Sequence, residues 1–351
     1  MRIIIRNSIL FFLLFMVIIL ATTDIIQKSN LYNTIFNFFD EEKQGRITIK
    51  NVDDVTGRPI KNTEYLIIEN GTNKMVDIVK TDLYGKGLSK LLDYNKSYII
   101  QQTLIDNPYV KNDAVYKVEI DQGMEKVTLK NNMPKYIKEY EIDQHNEIHI
   151  TEVKIDVEVL KQKPELPNGC EVTALTSTLN FYGYDVTKTK IADEFLPKKL
   201  FESRNGKLFG PDPYKFYGGN PRSLNKGFYA YPPPVAKAAN EYLDFIGGKS
   251  RALNISGSTK GEIIDILNKG IPVITWVTID LQKPKKGKSW HFFGENKLYK
   301  SLSNSHTVVV TGYNNKGLYV MDPLIGNVLY DTDKFFANYN ITGQHAMIII
   351  E

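Results

Sequence analysis

Cysteine is the scarcest residue of this chain, since its 351 positions contain a single one, Cys170. A lone thiol has no partner within the chain, so the sequence excludes an intramolecular disulfide framework. The count is compatible with export from the cell, because no second thiol is present with which Cys170 could be oxidised. A role for Cys170 therefore has to be sought in its reactivity or its packing.

A strong charge of either sign is also missing. Lys and Arg number 44 and Asp and Glu number 40, which leaves a net charge of +4. The basic loop 281–290 (LQKPKKGKSW) is short and reads as a solvated loop, so no nucleic acid partner is implied. The phosphate-binding pattern GxxxxGK[ST] is absent, and processing coupled to nucleotide-driven export is therefore not implied. The sequence predicts no cofactor and no metal site.

A long hydrophobic run is found at the N-terminus. Arg2 and Arg6 precede the uncharged residues 9–21, ILFFLLFMVIILA. Basic residues before an apolar segment are typical of a signal peptide or membrane anchor, with the remainder of the chain outside the cell. Residues 1–23 are predicted to be such a segment, which would make the membrane a partner, and its cleavage stays open. Residues 24–45 are predicted to form a tether.

Short β-rich runs separated by turn residues follow from residue 46, among them RITIKNVD, EYLIIEN and SYIIQQTL. This spacing predicts a small all-β sandwich over 46–132. The opening VDDVTGRPIKNTEYLI, the turn KTDLYGKG and the strand NKSYIIQQT resemble the prealbumin-like B-type repeats of Gram-positive surface adhesins and pilins. The resemblance implies a spacer or a ligand-binding module, and a spacer is the preferred interpretation.

The same resemblance implies a place for a Lys–Asn isopeptide bond. Lys50 would pair with Asn131 or Asn132, helped by a buried acid. The position of that acid is occupied by Gln102, and an amide cannot shuttle the protons that the reaction needs. This substitution argues against the crosslink.

Residues 133–154 are predicted to be a charged linker. They include His145 and His149, with Glu147 between them. The segment QHNEIHI lacks a strong metal-ligand motif, and its alternation indicates an exposed strand rather than a metal site.

The only cysteine lies between a loop and a predicted helix. The loop is Pro167-Asn168-Gly169, and apolar residues then recur at helical spacing: Val172, Leu175, Leu179 and Tyr182. Cys170 is therefore expected in the first turn of an amphipathic helix, where the helix dipole lowers the pKa of a thiol and favours the nucleophilic thiolate. The alternative is a free cysteine that packs as a small hydrophobe.

A nucleophile needs a base and an orienting group, and two strands supply candidates. His306 opens the β-branched run HTVVVTGY, and Asp322 ends LYVMD after the turn 314–317 (NNKG). Antiparallel pairing of these runs would bring the start of the first strand beside the end of the second. His306 and Asp322 are therefore expected at the same edge of a sheet. His291 and His345 lack such a carboxylate and are interpreted as structural or rim residues.

The order of the remaining elements predicts an α+β fold for residues 155–351. Helices are expected at Ile191–Phe195, Pro234–Tyr242 and Ser258–Asn268, followed by the buried strand IPVITWVTI. Residues 203–234 are rich in Gly, Pro, Tyr and Asn and are expected to be a long irregular segment. Their aromatic side chains would offer a surface for an extended peptide or a glycan.

The whole of residues 155–351 resembles the papain-fold cysteine peptidases related to the double-glycine leader peptidases, in the stand-alone secreted branch. The matching segments are Gln162 with PELPNGCEVTAL, FYGGNPRSLNKGFYAYPPPVAKAA, NKGIPVITWV, SHTVVVTGYNNKGLYVMDPLIG and GQHAMIII. The resemblance implies that Cys170 is the nucleophile, His306 the base and Asp322 its orienter, while Gln162 donates to the oxyanion hole.

The function that this resemblance implies is an extracytoplasmic cysteine peptidase. It would hydrolyse a peptide or amide bond through a thioester, with a peptide or protein, including cell-wall peptide, as substrate. Two alternatives from other classes stay open: a surface-anchored binding protein with an inactive papain-like domain, and an acyltransferase that passes the same thioester to an amine.

Overall fold

The computed structural model describes residues 44–351, apart from Gln122, His145, Asn146 and Asn296. The chain divides into two compact units, with the boundary between Met133 and Pro134. The predicted membrane segment 1–23 and most of the tether 24–45 lie outside the described residues. Within the described part of the chain, no helix combines the length and apolarity needed to cross a membrane.

The first unit contains eight strands in two four-stranded sheets over the residues described. They are β1 (Gln44–Asp53), β2 (Glu64–Glu69), β3 (Lys74–Lys80), β4 (Lys86–Leu88), β5 (Leu92–Asp93), β6 (Lys96–Leu104), β7 (Val115–Ile120) and β8 (Met124–Asn131). In one sheet β1 pairs antiparallel with β4 and β5 and parallel with β8; the other has the order β3-β2-β6-β7. Alternate residues of both sheets, such as Ile47, Ile67 and Ile100, are buried in a common core.

The alternation of β1 places Lys50 on the solvent side, away from the position that the resemblance implied for it. Lys50 is exposed, whereas Asn51 is fully buried and donates from Nδ2 to Thr63 Oγ1 at 2.8 Å. The parallel register sets Lys50 opposite Thr128, three positions or roughly 10 Å along the strand from Asn131. An isopeptide bond from Lys50 does not fit this geometry.

Gln102 does lie beside Asn131. The two buried side chains exchange hydrogen bonds, from Gln102 Nε2 to Asn131 Oδ1 at 3.1 Å and from Asn131 Nδ2 to Gln102 Oε1 at 3.0 Å. Asn131 Nδ2 also donates to the carbonyl of Val110 at 2.8 Å. We call Gln102 and Asn131 the amide pair: two neutral groups that satisfy one another in the core without any charge.

The second unit combines helices with two main sheets. Its strands are β9 (Ile137–Ile142), β10 (Ile148–Lys154), β11 (Lys198–Lys199), β12 (Glu202–Arg204), β13 (Lys207–Gly210), β14 (Tyr217–Gly218), β15 (Arg251–Asn254), β16 (Val273–Thr278), β17 (Lys286–Phe292), β18 (Leu298–Leu302), β19 (Ser305–Asn314), β20 (Gly317–Asp322), β21 (Gly326–Tyr330) and β22 (Ala346–Ile350). Its helices are α1 (Cys170–Phe181), α2 (Pro232–Ile246), α3 (Lys260–Asn268) and α4 (Thr332–Ile341), with short helical turns at Lys188–Lys190, Ile191–Phe195 and Ile279–Leu281.

The larger sheet has eight strands in the order β15-β22-β16-β19-β10-β9, with β20 and β21 added beside β19. Its strands β16, β19, β20 and β22 are buried on both faces, which explains why they read as continuous apolar runs. Ile274 and Trp276 of β16 enter a core with residues of α1 and α2, whereas Val273 and Val277 enter a second core with residues of α3 and α4. The sheet is thereby fixed between two helical layers.

The predicted linker 133–154 is structured. Its strands β9 and β10 pair antiparallel, and β10 joins the large sheet through Val153 opposite Tyr313. The alternation that indicated an exposed strand belongs to the β9–β10 hairpin at the edge of this sheet, where most side chains of β9 are exposed.

The segment 203–234 is less irregular than predicted. The strands β12 and β13 form a second sheet with β17 and β18, and His291 lies in β17. Most of the aromatic side chains of this segment are at least partly buried and pack on one another; Tyr217 is fully buried, and Phe228 packs against Trp290. The predicted aromatic surface is therefore mainly a core, since pairwise ring packing removes it from water.

The expected helices at Pro234–Tyr242 and Ser258–Asn268 correspond to the longer α2 and to α3. Thr259 is the N-cap of α3 and forms a reciprocal capping box with Glu262. The expected helix at Ile191–Phe195 is a single helical turn.

Candidate active site

Helix α1 begins at Cys170, as the Pro-Asn-Gly loop before it predicts. Gly169 is its N-cap, and a Cβ at Gly169 would lie 2.6 Å from the Cβ of Leu166. The close approach of the loop to the helix therefore requires a glycine.

The helix is not amphipathic, contrary to the sequence-based prediction. Its first ten residues are all buried, because it lies between the large sheet and α2. Its threonine side chains are satisfied locally, since Thr173, Thr176 and Thr178 each donate to the carbonyl four residues earlier. The hydroxyl of Ser177 donates to the carbonyl of Glu158, outside the helix. This local pairing lets a Thr-rich helix be buried on every side.

The Cys170 thiol lies in a buried environment that opposes ionisation. Burial raises the pKa of the thiol well above its usual value, the neighbouring carboxylate of Glu171 raises it further, and hydrogen-bonding contact from Thr307 acts in the opposite direction. The expected lowering of the thiol pKa at the helix start is therefore wrong for this resting structure. The dipole of the first turn is outweighed by desolvation, so the thiol is neutral.

Glu171 is the residue at this site that the sequence analysis missed. It is 1% exposed, accepts a hydrogen bond from the thiol at 3.4 Å through Oε2, and accepts the backbone N–H of Ala230 at 2.9 Å through Oε1. Burial raises the pKa of Glu171 to about 7, although hydrogen bonds from backbone N–H groups act against the shift. The signal was present in the sequence: Glu171 is the sole charged residue of α1, in a helix otherwise made of apolar, hydroxyl and amide side chains.

His306 and Asp322 are brought together by the pairing of β19 with β20. The strands are antiparallel, and Asp322 Oδ1 lies 2.8 Å from His306 Nε2. Both residues are 2% exposed. Burial alone would raise the pKa of Asp322, but hydrogen bonding to His306, the charge of its ring, and the N–H groups of Leu324 and Ile325 hold that pKa below its usual value. A carboxylate at Nε2 leaves Nδ1 as the ring nitrogen available to a substrate or a thiol.

Gln162 is buried and lies just before the Cys170 loop. Its Nε2 donates to the carbonyl of Pro167 at 2.7 Å, and its own backbone N–H donates to the carbonyl of Pro323 at 2.9 Å. One amide hydrogen is thus used to hold the loop, and the second remains. Gln162 Oε1 is buried without a partner among the described residues.

These residues meet at one cleft of about 500 Å³. Cys170, His306 and Gln162 line it, together with Phe228 and Tyr229, while Asp322 supports the imidazole. Among the described hydrogen bonds the sulfur is paired with Glu171 rather than with His306. The sulfur also lies beside Thr307, the residue after His306 on β19.

The other described histidines lie elsewhere. His345 is buried: its Nε2 is 2.8 Å from Tyr214 Oη, its Nδ1 is 3.0 Å from the carbonyl of Thr342, and its ring stacks on Tyr231. His149 is exposed and contacts Asp143. Across residues 44–351 as described, no group of three His, Cys, Asp or Glu side chains is arranged to hold a metal ion. His145 falls outside the described residues.

The fold and the cleft together define a mixed α/β protein with a cysteine, a histidine and a glutamine around one cavity. Residues 154–347, more than half of the chain, match the Peptidase_C39-like family, and the chain therefore belongs to that family. Residues 45–133 match the prealbumin-like fold domain SpaA. At the level of these two domain families, the resemblances drawn from the sequence are confirmed.

Similarity to individual proteins is also found. The uncharacterised protein YvpB of Bacillus subtilis (strain 168) is 29% identical over 187 residues, which cover 53% of this chain and 70% of YvpB. A C39-like peptidase structure from Bacillus anthracis is 26% identical, with a TM-score of 0.49, and the match covers 56% of this chain and 98% of that one. The T6 backbone pilin of Streptococcus pyogenes serotype M6 is 23% identical with a TM-score of 0.21, over 22% of this chain and 16% of the pilin.

Proposed function

We propose that this protein is an extracytoplasmic cysteine peptidase that hydrolyses a peptide or amide bond through a thioester. The observation that carries the proposal is the convergence of Cys170, His306 and Gln162 on one cleft, with Asp322 bonded to the imidazole. Nucleophile, base, orienter and oxyanion donor are the four parts that acyl transfer through a thiol requires.

In the attack step the thiol leaves Glu171 by rotation of the Cys170 side chain and faces His306. The Sγ–H proton passes to Nδ1 of His306 as the sulfur bonds to the substrate carbonyl carbon. Because burial keeps the resting thiol neutral, proton transfer accompanies attack instead of preceding it. Asp322 stabilises the imidazolium that forms.

The negative oxygen of the tetrahedral intermediate is met by the second amide hydrogen of Gln162 and by the backbone N–H of Cys170, which as the first residue of α1 has no partner within the helix. A donor of this kind lowers the barrier by about 3 kcal/mol. Collapse breaks the C–N bond, and His306 returns its proton to the leaving amine. Water, activated by the same imidazole, then releases the acid from the thioester.

The extracytoplasmic location and the kinship with double-glycine leader peptidases belong to the same proposal. The apolar residues 9–21 behind two arginines and the SpaA-type domain support a position at a Gram-positive surface. In this arrangement the N-terminal segment contacts the membrane and the β-sandwich is a spacer. The substrate is a peptide or protein, cell-wall peptide included.

The direct test is thiol labelling followed by peptide-library profiling. We expect an electrophilic thiol probe to modify Cys170 and the library to be cleaved by the wild-type protein but not by Cys170→Ala. Product masses with and without an added amine separate hydrolysis from acyl transfer, because both run on the same thioester. Cleavage that persists in Cys170→Ala contradicts the proposal, and a labelled protein that cleaves nothing supports the inactive binding module.

A further inference from the structure

The cleft that holds Cys170 carries charge of one sign at its surface. Lys163 and Lys288 both line it and are exposed, and within the described chain no Asp or Glu belongs to its lining. Glu171 lies behind the sulfur and is buried away from solvent. A substrate that enters therefore meets two ammonium groups and no exposed carboxylate in the lining.

Neither lysine is neutralised by an ion pair among the residues described. The acid closest to Lys163 in sequence, Glu165, is paired with Lys188 at 2.7 Å. Asp280 follows the lining residue Ile279 and is exposed, but it is not part of the lining. Unpaired ammonium groups in a cleft with low-dielectric walls raise the local concentration of anions.

The position of Lys288 is fixed by the fold of the basic segment 283–288 (KPKKGK). The pairing of β17 with β18 is irregular between Lys286 and Ser289, so Lys288 lies in a bulge. Its carbonyl accepts a hydrogen bond from Ser301 Oγ at 2.7 Å, and Ser301 also lines the cleft. A bulge re-aims side chains relative to a regular strand.

The segment is also tied to the rim of the cleft at its start. Buried Asn304 accepts the N–H of Lys285 at 2.9 Å and donates to the carbonyl of Lys283 at 3.1 Å. The N–H of Ser303, another lining residue, donates to the carbonyl of Lys285 at 2.9 Å. This backbone is therefore held against the cleft, contrary to its interpretation from sequence as a solvated loop.

We infer that the cleft selects peptides that carry a carboxylate near the scissile bond, with Lys163 and Lys288 as the residues that determine this specificity. The inference rests on the proposed function and names its substrate class. The carboxylate can belong to an Asp or Glu side chain or to the C-terminus of a peptide, and both are bound by the same two ammonium groups.

The charge of the cleft can be measured without a known substrate. Iodoacetate and iodoacetamide alkylate the same thiol and differ in charge. We expect the ratio of their rate constants at Cys170 to fall about 3- to 10-fold in the double variant Lys163→Gln/Lys288→Gln, and the wild-type ratio to fall as salt is added. An unchanged ratio overturns the inference.

The matched control is Lys269→Gln/Lys316→Gln, which removes the same net charge. Lys316 lies two residues beyond Asn314, the far end of β19, and Asn314 is eight residues or roughly 27 Å along the strand from His306. Lys269 follows Asn268, whose side chain bonds Tyr313 at that same end of β19. Both lysines are exposed. We expect the wild-type ratio in this control; an equal fall in both double variants would assign the effect to overall charge and contradict the inference.

Matched peptides then separate the two sources of carboxylate and the two levels of the claim. In the first set, peptides with an internal Asp or Glu are compared with peptides that have Asn or Gln instead, and all of them have an amidated C-terminus. In the second set, peptides without charged side chains are compared with a free and with an amidated C-terminus. We expect kcat/KM to favour a carboxylate-bearing set by about 10-fold in the wild type and less in the double variant. Equal cleavage of all sets overturns the inference and leaves the peptidase proposal standing. If no peptide is cleaved but the alkylation ratio still depends on the two lysines, the peptidase proposal is overturned and the selectivity of the cleft for anions stands.

Discussion

The two units of this chain each bury a group of polar side chains, and the groups differ in kind. In the β unit the amide pair Gln102–Asn131 consists of neutral groups that use their donors and acceptors on one another and on nearby backbone. In the α/β unit the buried residues are Glu171, His306 and Asp322 beside Cys170, all able to gain or lose a proton. Equal burial thus produces a junction of neutral groups in one unit and a cluster of titratable groups in the other.

The difference shows that burial of polar groups does not by itself make a site respond to pH. Burying an amide pair costs little once its hydrogen bonds are made, and nothing about it changes with pH. Burying a carboxyl such as Glu171 shifts its pKa to about 7, so its protonation changes in the neutral range. The following variants test this contrast, from the largest expected effect to the smallest.

Removal of the nucleophile or the base should have the largest effect. Cys170→Ala and His306→Ala are each expected to lower kcat/KM by about 10⁴-fold or more, because residues that act as a unit fail together. Steady-state cleavage of the best library peptide measures both. If the Cys170→Ala/His306→Ala double variant has the same kcat/KM as either single variant, the two residues act in one step. If the two losses in kcat/KM multiply, they do not.

Removal of the orienting carboxylate should cost less. Asp322→Ala is expected to lower kcat by roughly 10²-fold, since Asp322 holds the imidazole and does not transfer the proton itself. The pH profile of kcat/KM, compared with that of His306→Ala, checks the assignment. Full activity in Asp322→Ala would remove this residue from the site.

Glu171 should make the stability of the α/β unit depend on pH. Its pKa is raised by burial from 4.5 to about 7, so the folded protein retains a proton that the unfolded chain releases. The stabilisation is complete below pH 4.5 and is lost as pH rises to about 7, a change on the order of 3 kcal/mol in the free energy of unfolding. Urea unfolding of wild type and Glu171→Gln at pH 5 and pH 8 measures this change.

Both tryptophans of the chain, Trp276 and Trp290, belong to the α/β unit, so their fluorescence reports its unfolding. Glu165→Gln is the control, because Glu165 is exposed. If the free energy of unfolding changes with pH by the same amount in Glu171→Gln and in the wild type, the titration of Glu171 does not cause the change.

Glu171→Gln should also accelerate iodoacetamide alkylation of Cys170 at pH 7 about 3- to 10-fold, since the neighbouring negative charge raises the thiol pKa.

The amide pair should show the smallest effect. Asn131→Ala leaves the Nε2 donor of Gln102 unpaired, while Oε1 of Gln102 keeps the backbone N–H of Asn112. The variant is expected to destabilise the β unit by about 1–3 kcal/mol, equally at pH 5 and pH 8. Hydrogen exchange of peptides from β6 and β8 measures this loss.

In the wild-type protein, proteolytic peptides containing Lys50 and Asn131 should be recovered separately. A linked pair lacking one ammonia would overturn the account of this unit.

Local sequence patterns predicted those parts of the site that depend on neighbours in the chain. The Pro-Asn-Gly loop indicated the start of α1 at Cys170, and the turn 314–317 indicated the hairpin that joins His306 to Asp322. Both follow from turn chemistry and strand pairing, which act over a few residues.

Features set by tertiary packing were missed or predicted wrongly. The complete burial of α1 depends on helices and strands far away in sequence, and that burial reverses the expected pKa shift of Cys170. The bulge around Lys288 and the sheet formed by β12, β13, β17 and β18 arise from long-range pairing. Asn51, and not Lys50, faces the core because of the register of β1. A shift of one residue in a strand exchanges its buried and its exposed face.

The most direct test of the central claim is the mass of Cys170 during turnover. Wild-type protein mixed with a cleaved peptide and quenched in acid should contain an acyl thioester on Cys170, with the mass of the N-terminal fragment. Hydroxylamine should remove it, and His306→Ala should form it at least about 10²-fold more slowly. Cleavage at the wild-type rate with no adduct on Cys170, or an unchanged rate in Cys170→Ala, would contradict the account.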